Sequence, residues 1–171
     1  MNELGASGFN DLLAKACQAA GASCCKLGRL FLPLEEWRQI EAWLAARSAD
    51  ELSEFRRRSV AGDGFFLYDQ QKRCQFLDER NLCRLQAAGL KPSECFWWPF
   101  HVYVDEQDRL EIRLATSCCG GHRHYVAGQP FVAQVEAQAR RLGADLIRRF
   151  RRAYPGSYQT VPVKLIEFRQ D

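Results

Sequence analysis

Eight cysteines, none of them in a C-x2-C pair, constrain this chain of 171 residues more than any other feature of its sequence. They stand at Cys17, Cys24, Cys25, Cys74, Cys83, Cys95, Cys118 and Cys119, which reads C-x6-CC, then C-x8-C-x11-C, then CC. In an oxidising compartment such a set becomes a disulfide framework, whereas a reducing one keeps it as thiols available to metal. The N-terminus, MNELGASGFNDLL, has no basic stretch followed by an apolar one, and no run approaches the roughly 18 apolar residues that span a bilayer. The expectation is therefore a cytoplasmic chain with no membrane partner, whose cysteines bind a metal ion or cluster.

The spacing narrows the kind of site. Zinc ribbons and fingers deliver two thiolates per short knuckle, so the simplest zinc folds are excluded and a centre assembled from distant loops remains. Neighbouring side chains on extended backbone point to opposite faces, so one sulfur of each CC pair is expected to serve a given centre. Eight thiols then supply two four-sulfur sites, or one with four thiols to spare. The formal charge of +3 counts every cysteine as neutral, and two sites, each a +2 centre with four thiolates, would turn it slightly negative. The arginine excess is thus explained as counter-charge without a polyanionic partner.

With 47% apolar residues, the chain has enough material for a core without staples. Phe9, Leu12, Leu13 and Ala16 predict a helix over 8–20 that Gly21 ends, and residues 24–33 predict a strand. Leu34, Trp37, Ile40 and Leu44 give 34–47 a buried helical face, and Ser48 with Glu51 fits a capping box opening a helix over 49–58. The arginines at 56–58 then read as a solvated helix end. A strand follows at 65–68, the segment from Cys74 to Phe100 obeys neither period, and DEQD joins a hairpin carrying Val102, Val104, Leu110, Ile112 and Leu114. Phe131, Val135, Ala139, Leu142, Leu146 and Phe150 predict one long amphipathic helix that Gly143 weakens, and 161–168 a terminal strand or extended segment. The expected fold is α+β, a single domain over 1–171 with the cysteine core at 17–125 and the C-terminal helix and tail at 126–171.

Several of these residues carry a resemblance. CC at 24–25, CQFLD at 74–78, NLCRL at 81–85 and KPSECFWWPF at 91–100 together resemble the YkgJ-like cysteine-cluster family, whose CxxCxxCC domain is taken to chelate zinc or iron. The similarity covers roughly 17–100, and it implies that Cys24, Cys25, Cys74, Cys83 and Cys95 are metal ligands. The chain departs from the family's C-x2-C-x2-CC opening: Gln18 and Gly21 occupy the places of two cysteines, and Cys17 is one residue out of register. Some relatives are flagellin lysine methylases with an iron–sulfur cluster, but no glycine-rich nucleotide loop stands here and methylation is not carried over.

The residues around the cysteines suit such a centre. Phe76, Phe96, Trp97, Trp98 and Phe100 would give it dry aromatic surroundings, and Arg73, Arg84 and Lys91 lie where they would offset thiolate charge. His122 and His124 are spare nitrogen donors, and His101 reads as structural. Wide spacing favours an iron–sulfur cluster, such as 4Fe–4S, over zinc, because a multi-atom cluster accepts ligands from separate loops. Two other functions compete with plain metal binding. A metal- or cluster-dependent enzyme of protein-modifying type would draw on Asp78 and Glu94 as acid–base groups, although no HExxH, nucleophile elbow or phosphate loop is present. The arginine face formed by Arg140, Arg141, Arg148, Arg149, Arg151 and Arg152 would bind nucleic acid or a protein, and the low net charge argues against nucleic acid.

Overall fold

A computed structural model of the chain describes residues 15, 18–19, 21–26, 28–70, 72–107, 109–115, 129–155 and 160–167, with backbone alone at 129–131 and 160–167. The fold is α+β, and its contacts divide it into two compact units, one spanning Gly21–Phe96 and a second built on the elements from Trp97 onward. Of the N-terminal helix expected over 8–20, Lys15, Gln18 and Ala19 are described and are helical.

The first unit begins with a 3-10 turn, Ser23–Lys26, followed by strand β1 (Arg29–Pro33). Helix α1 (Leu34–Ala45) buries Ile40 and Leu44, two of the four positions that its apolar period marks. Helix α2 (Ala49–Arg57) is capped by Ser48, whose Oγ accepts the Glu51 N–H at 3.2 Å. Only this half of the expected capping box forms, because the Glu51 carboxylate turns instead to Arg84. Strands β2 (Ser59–Ala61) and β3 (Phe65–Asp69) complete an antiparallel sheet of order β1-β3-β2, with Phe31 opposite Leu67. Trp37 stacks on Phe66 at 4.2 Å and on Phe55 at 5.6 Å, while Phe55, Tyr68 and Phe76 pack ring against ring. Two short helices follow, α3 (Arg84–Ala87) and α4 (Ser93–Trp97).

The second unit holds the expected hairpin, β4 (Phe100–Val104) and β5 (Arg109–Ala115), and β5 also pairs with β6 (Thr160–Glu167). Asp105 holds the connecting turn by accepting the N–H groups of Gln107 and Arg109, both at 2.9 Å. The long helix expected over 131–153 is observed as two, α5 (Gln129–Leu142) and α6 (Ala144–Ala153). Gly143 separates them as the N-cap of the second, with φ at 83° and ψ at 152°, a region of backbone space that is essentially glycine's alone. The break shifts the phase of the apolar stripe. Val135, Ala139 and Phe150 are buried as expected, but Ile147 takes the place expected of Leu146, which is half-buried. It also divides the arginine face. Arg140 pairs with Glu136 and Arg148 with Asp145, while Arg151 is buried, its Nε donating to Val102 O at 2.8 Å and its guanidinium lying over Tyr103.

Candidate metal centre

Cys24, Cys25, Cys74, Cys83 and Cys95 all belong to the first unit, and none of the five is in a disulfide. Cys17, Cys118, Cys119, His122 and His124 lie outside the described residues. Cys24 and Cys25 sit in the 3-10 turn, so the opposed side chains expected of extended backbone do not apply to this pair. Gly21, at φ 67°, and Ala22, at φ 51°, place the turn, and Ala22 O accepts the Cys25 N–H at 2.9 Å. A main-chain bond then joins two cysteine segments directly: Cys74 N donates to Cys25 O at 2.8 Å.

Between Cys74 and Cys83 the chain makes a loop ordered by side chain–backbone bonds. Asp78 Oδ1 accepts the N–H groups of Leu82 at 2.8 Å and Arg80 at 2.9 Å, and Leu77 bridges to Cys83 across the loop. The Leu82 and Arg80 amides also hold the Asp78 carboxyl below its ordinary range. Arg84, next to Cys83, binds Glu51 and Gln75 O, and Arg73 donates to Asp78 O at 2.6 Å. Cys95 lies in α4, whose neighbouring Glu94 accepts the Phe31 N–H at 2.6 Å. The two carboxylates that sequence offered as acid–base groups are thus both engaged with the main chain.

Cys74 is buried in one hydrophobic cluster with Leu30, Leu44, Phe55, Tyr68, Phe76 and Leu85, and Cys25, Cys83 and Cys95 pack against the same cluster. Cys74, Cys83 and Cys95 are electrostatic neighbours. Burial pushes the Cys74 thiol up to about 11, with the Cys83 sulfur adding to the rise and the Phe76 amide, Arg58 and Tyr68 O–H opposing it. Burial pushes Cys95 well above the ordinary thiol range, reinforced by Cys83, Cys74 and Glu94 and opposed by Lys91. The three sulfurs do not close to coordination distance: among the described residues, no group of three or more Cys, His, Asp or Glu side chains is set to hold an ion.

The donor chemistry fits a soft cation. Thiols in dry, mutually repelling surroundings are costly to ionise alone, and a bound cation removes that cost by taking the place of their protons. Of the aromatic residues expected around them, Phe76 is in the cluster, whereas Trp97 and Phe100 are buried in the second unit, where Trp97 Nε1 donates to Gln138 at 2.8 Å. Phe55 and Tyr68 are the rings that sequence did not single out. Arg58 was also missed: it reads locally as part of a solvated helix end, yet its Nη1 donates to Arg73 O at 2.9 Å and its charge reaches Cys74. No local signal marks a contact between residues so far apart in the chain.

Thiols from four separate segments packed on one core mark a cysteine cluster. Residues 16–120 match the CxxCxxCC family, "Putative zinc- or iron-chelating domain", and the chain belongs to that family. No solved structure matches the chain. No helix among the described residues is long and apolar enough to cross a membrane.

Proposed function

We propose that this chain binds an iron–sulfur cluster, 4Fe–4S in type, through Cys74, Cys83 and Cys95 with Cys24 or Cys25 as a further ligand, and that it does so in the cytoplasm. The observation that carries the reading is the gathering of four cysteine-bearing segments on one aromatic core: Cys25, Cys74, Cys83 and Cys95 share it although 70 positions separate the first from the last. Cys17, Cys118 and Cys119 are candidates for the remaining ligands or for a second centre. A bound cluster would supply one-electron chemistry or a structural tie between loops. The chain's own residues do the rest: Phe55, Tyr68 and Phe76 keep water from Cys74, the Tyr68 O–H and Arg58 favour its ionised form, and Lys91 does the same for Cys95.

Anaerobic purification with elemental analysis and visible absorption tests this. Brown protein carrying iron and sulfide is the expected result. Colourless protein with stoichiometric zinc replaces the cluster by a zinc site on the same residues, and folded metal-free protein or pairwise disulfides overturns the reading.

A further inference from the structure

Two carboxylates pin the residues immediately before Cys95 to two different elements of the first unit. Glu36, on α1, takes both hydrogen-bond donors of Ser93: the Ser93 N–H reaches Oε2 at 3.0 Å, and the Ser93 hydroxyl donates to Oε1. Glu94 ties the next residue to β1 through the Phe31 N–H. Ser93 is buried, and desolvation raises the Glu36 carboxyl above its ordinary range, so this contact places a carboxylate where water would otherwise solvate it better. A helix of five residues gains too little from a cap to recover that cost by itself. What the contact does fix is direction. With Ser93 held on α1, Glu94 held on β1 and helical geometry running from Ser93 onward, the Cα–Cβ vector of Cys95 has little freedom left.

We infer that Glu36 is a positioning residue for the metal centre, acting through Ser93 to aim the Cys95 sulfur at the Cys74 and Cys83 side of the core. The inference rests on the proposed metal-binding function. Outer partners of this kind hold a ligand in its productive rotamer, and their loss lowers metal affinity about 10–100-fold.

The test is a double-mutant cycle between Glu36→Gln and Cys95→Ala, read with Co(II) as the probe. Affinity comes from competition with a chromophoric chelator, and the sulfur-to-cobalt charge-transfer absorption reports how many thiolates bind. Glu36→Gln is expected to weaken Co(II) binding by about tenfold or more and to reduce the charge-transfer band, with no further loss when Cys95 is already alanine. Equal losses in both backgrounds, or unchanged binding by folded Glu36→Gln protein, overturns the inference. Should Glu36→Gln fail to fold, Ser93→Ala, which removes only the hydroxyl, replaces it in the cycle. A wild-type chain that binds no Co(II) counts against the metal reading itself. Positioning is then read on metal-free protein by mass-resolved iodoacetamide labelling. Labelling of Cys95 accelerated by about tenfold in Glu36→Gln while Cys74 keeps its wild-type rate supports the inference, and unchanged Cys95 labelling overturns it.

Discussion

Arg84 grips Glu51 with both arms of its guanidinium, Nη1 to Oε1 at 3.1 Å and Nη2 to Oε2 at 2.9 Å, and with Nη2 it also reaches Gln75 O at 3.1 Å. One side chain therefore ties the start of α2 to both ends of the loop that runs between Cys74 and Cys83. Both partners are 37% exposed, so solvent screens the pair and its contribution to stability is only about 0.5–1 kcal/mol. Arg84→Lys keeps the charge and loses the fork. It is expected to lower the urea midpoint slightly, and the difference from wild type should shrink as salt is raised. A salt-independent difference would assign the effect to packing.

Gly143→Ala distinguishes the observed helix break from a continuous helix. In a continuous helix alanine would add about 1 kcal/mol of stability. At φ 83°, with no atom within 4 Å of the new Cβ, the substitution meets open space but strained backbone, and a loss of about 1 kcal/mol is expected. Thermal or urea unfolding gives the sign directly.

His101 makes the second unit sensitive to acid. It is buried in β4, and desolvation, with the nearby Arg151 charge adding to it, pushes its pKa down to about 3. An unfolded histidine titrates near ~6.5, so between these values the unfolded chain binds a proton that the folded chain does not. Stability then rises with pH through this window. Acidification below about 6.5 removes it, at up to about 1.4 kcal/mol per pH unit. His101→Phe should flatten the profile of urea midpoint against pH between about 4 and 6. Parallel profiles for the two proteins would exclude His101 as the source.

Cys74→Ala and Cys95→Ala are each expected to weaken metal binding without abolishing it and to shrink the rise in melting temperature that metal confers, since ligand binding energy is also folding energy. Arg58→Ala should keep the ligands and weaken metal retention more modestly, because it removes a charge that favours the Cys74 thiolate. Metal content by elemental analysis alongside melting curves of loaded and stripped protein checks all three. Unchanged content in both cysteine variants removes those residues from the centre.

The parts of the fold with a strict period were legible from sequence. Val102, Leu110, Ile112 and Leu114 alternate and are found on β4 and β5, and Ile40 and Leu44 mark the buried side of α1. The segment from Cys74 to Phe100 was not, because its order comes from single bonds such as Asp78 to Leu82, Arg73 to Asp78 and Arg84 to Gln75, which follow no period. The same holds for the centre. Sequence could name Cys74 and Cys95 as candidates, but not Tyr68, Arg58 or Glu36, since Glu36 stands 57 positions from the serine it holds. Gly143 was visible as a weak point in a helix, yet a period count cannot tell a costly glycine inside a helix from one that ends it.

The main-chain hydrogen bond from the Cys74 N–H to the Cys25 carbonyl has a consequence for how the protein would be filled. Bringing those segments together across the intervening residues costs chain entropy, and here the amide-to-carbonyl contact and the β1–β3 pairing between them offset part of that cost. Loading then resembles closing a hand already cupped, so uptake by the empty chain would be limited by ligand exchange at sulfur, with the search of a loose polypeptide already shortened.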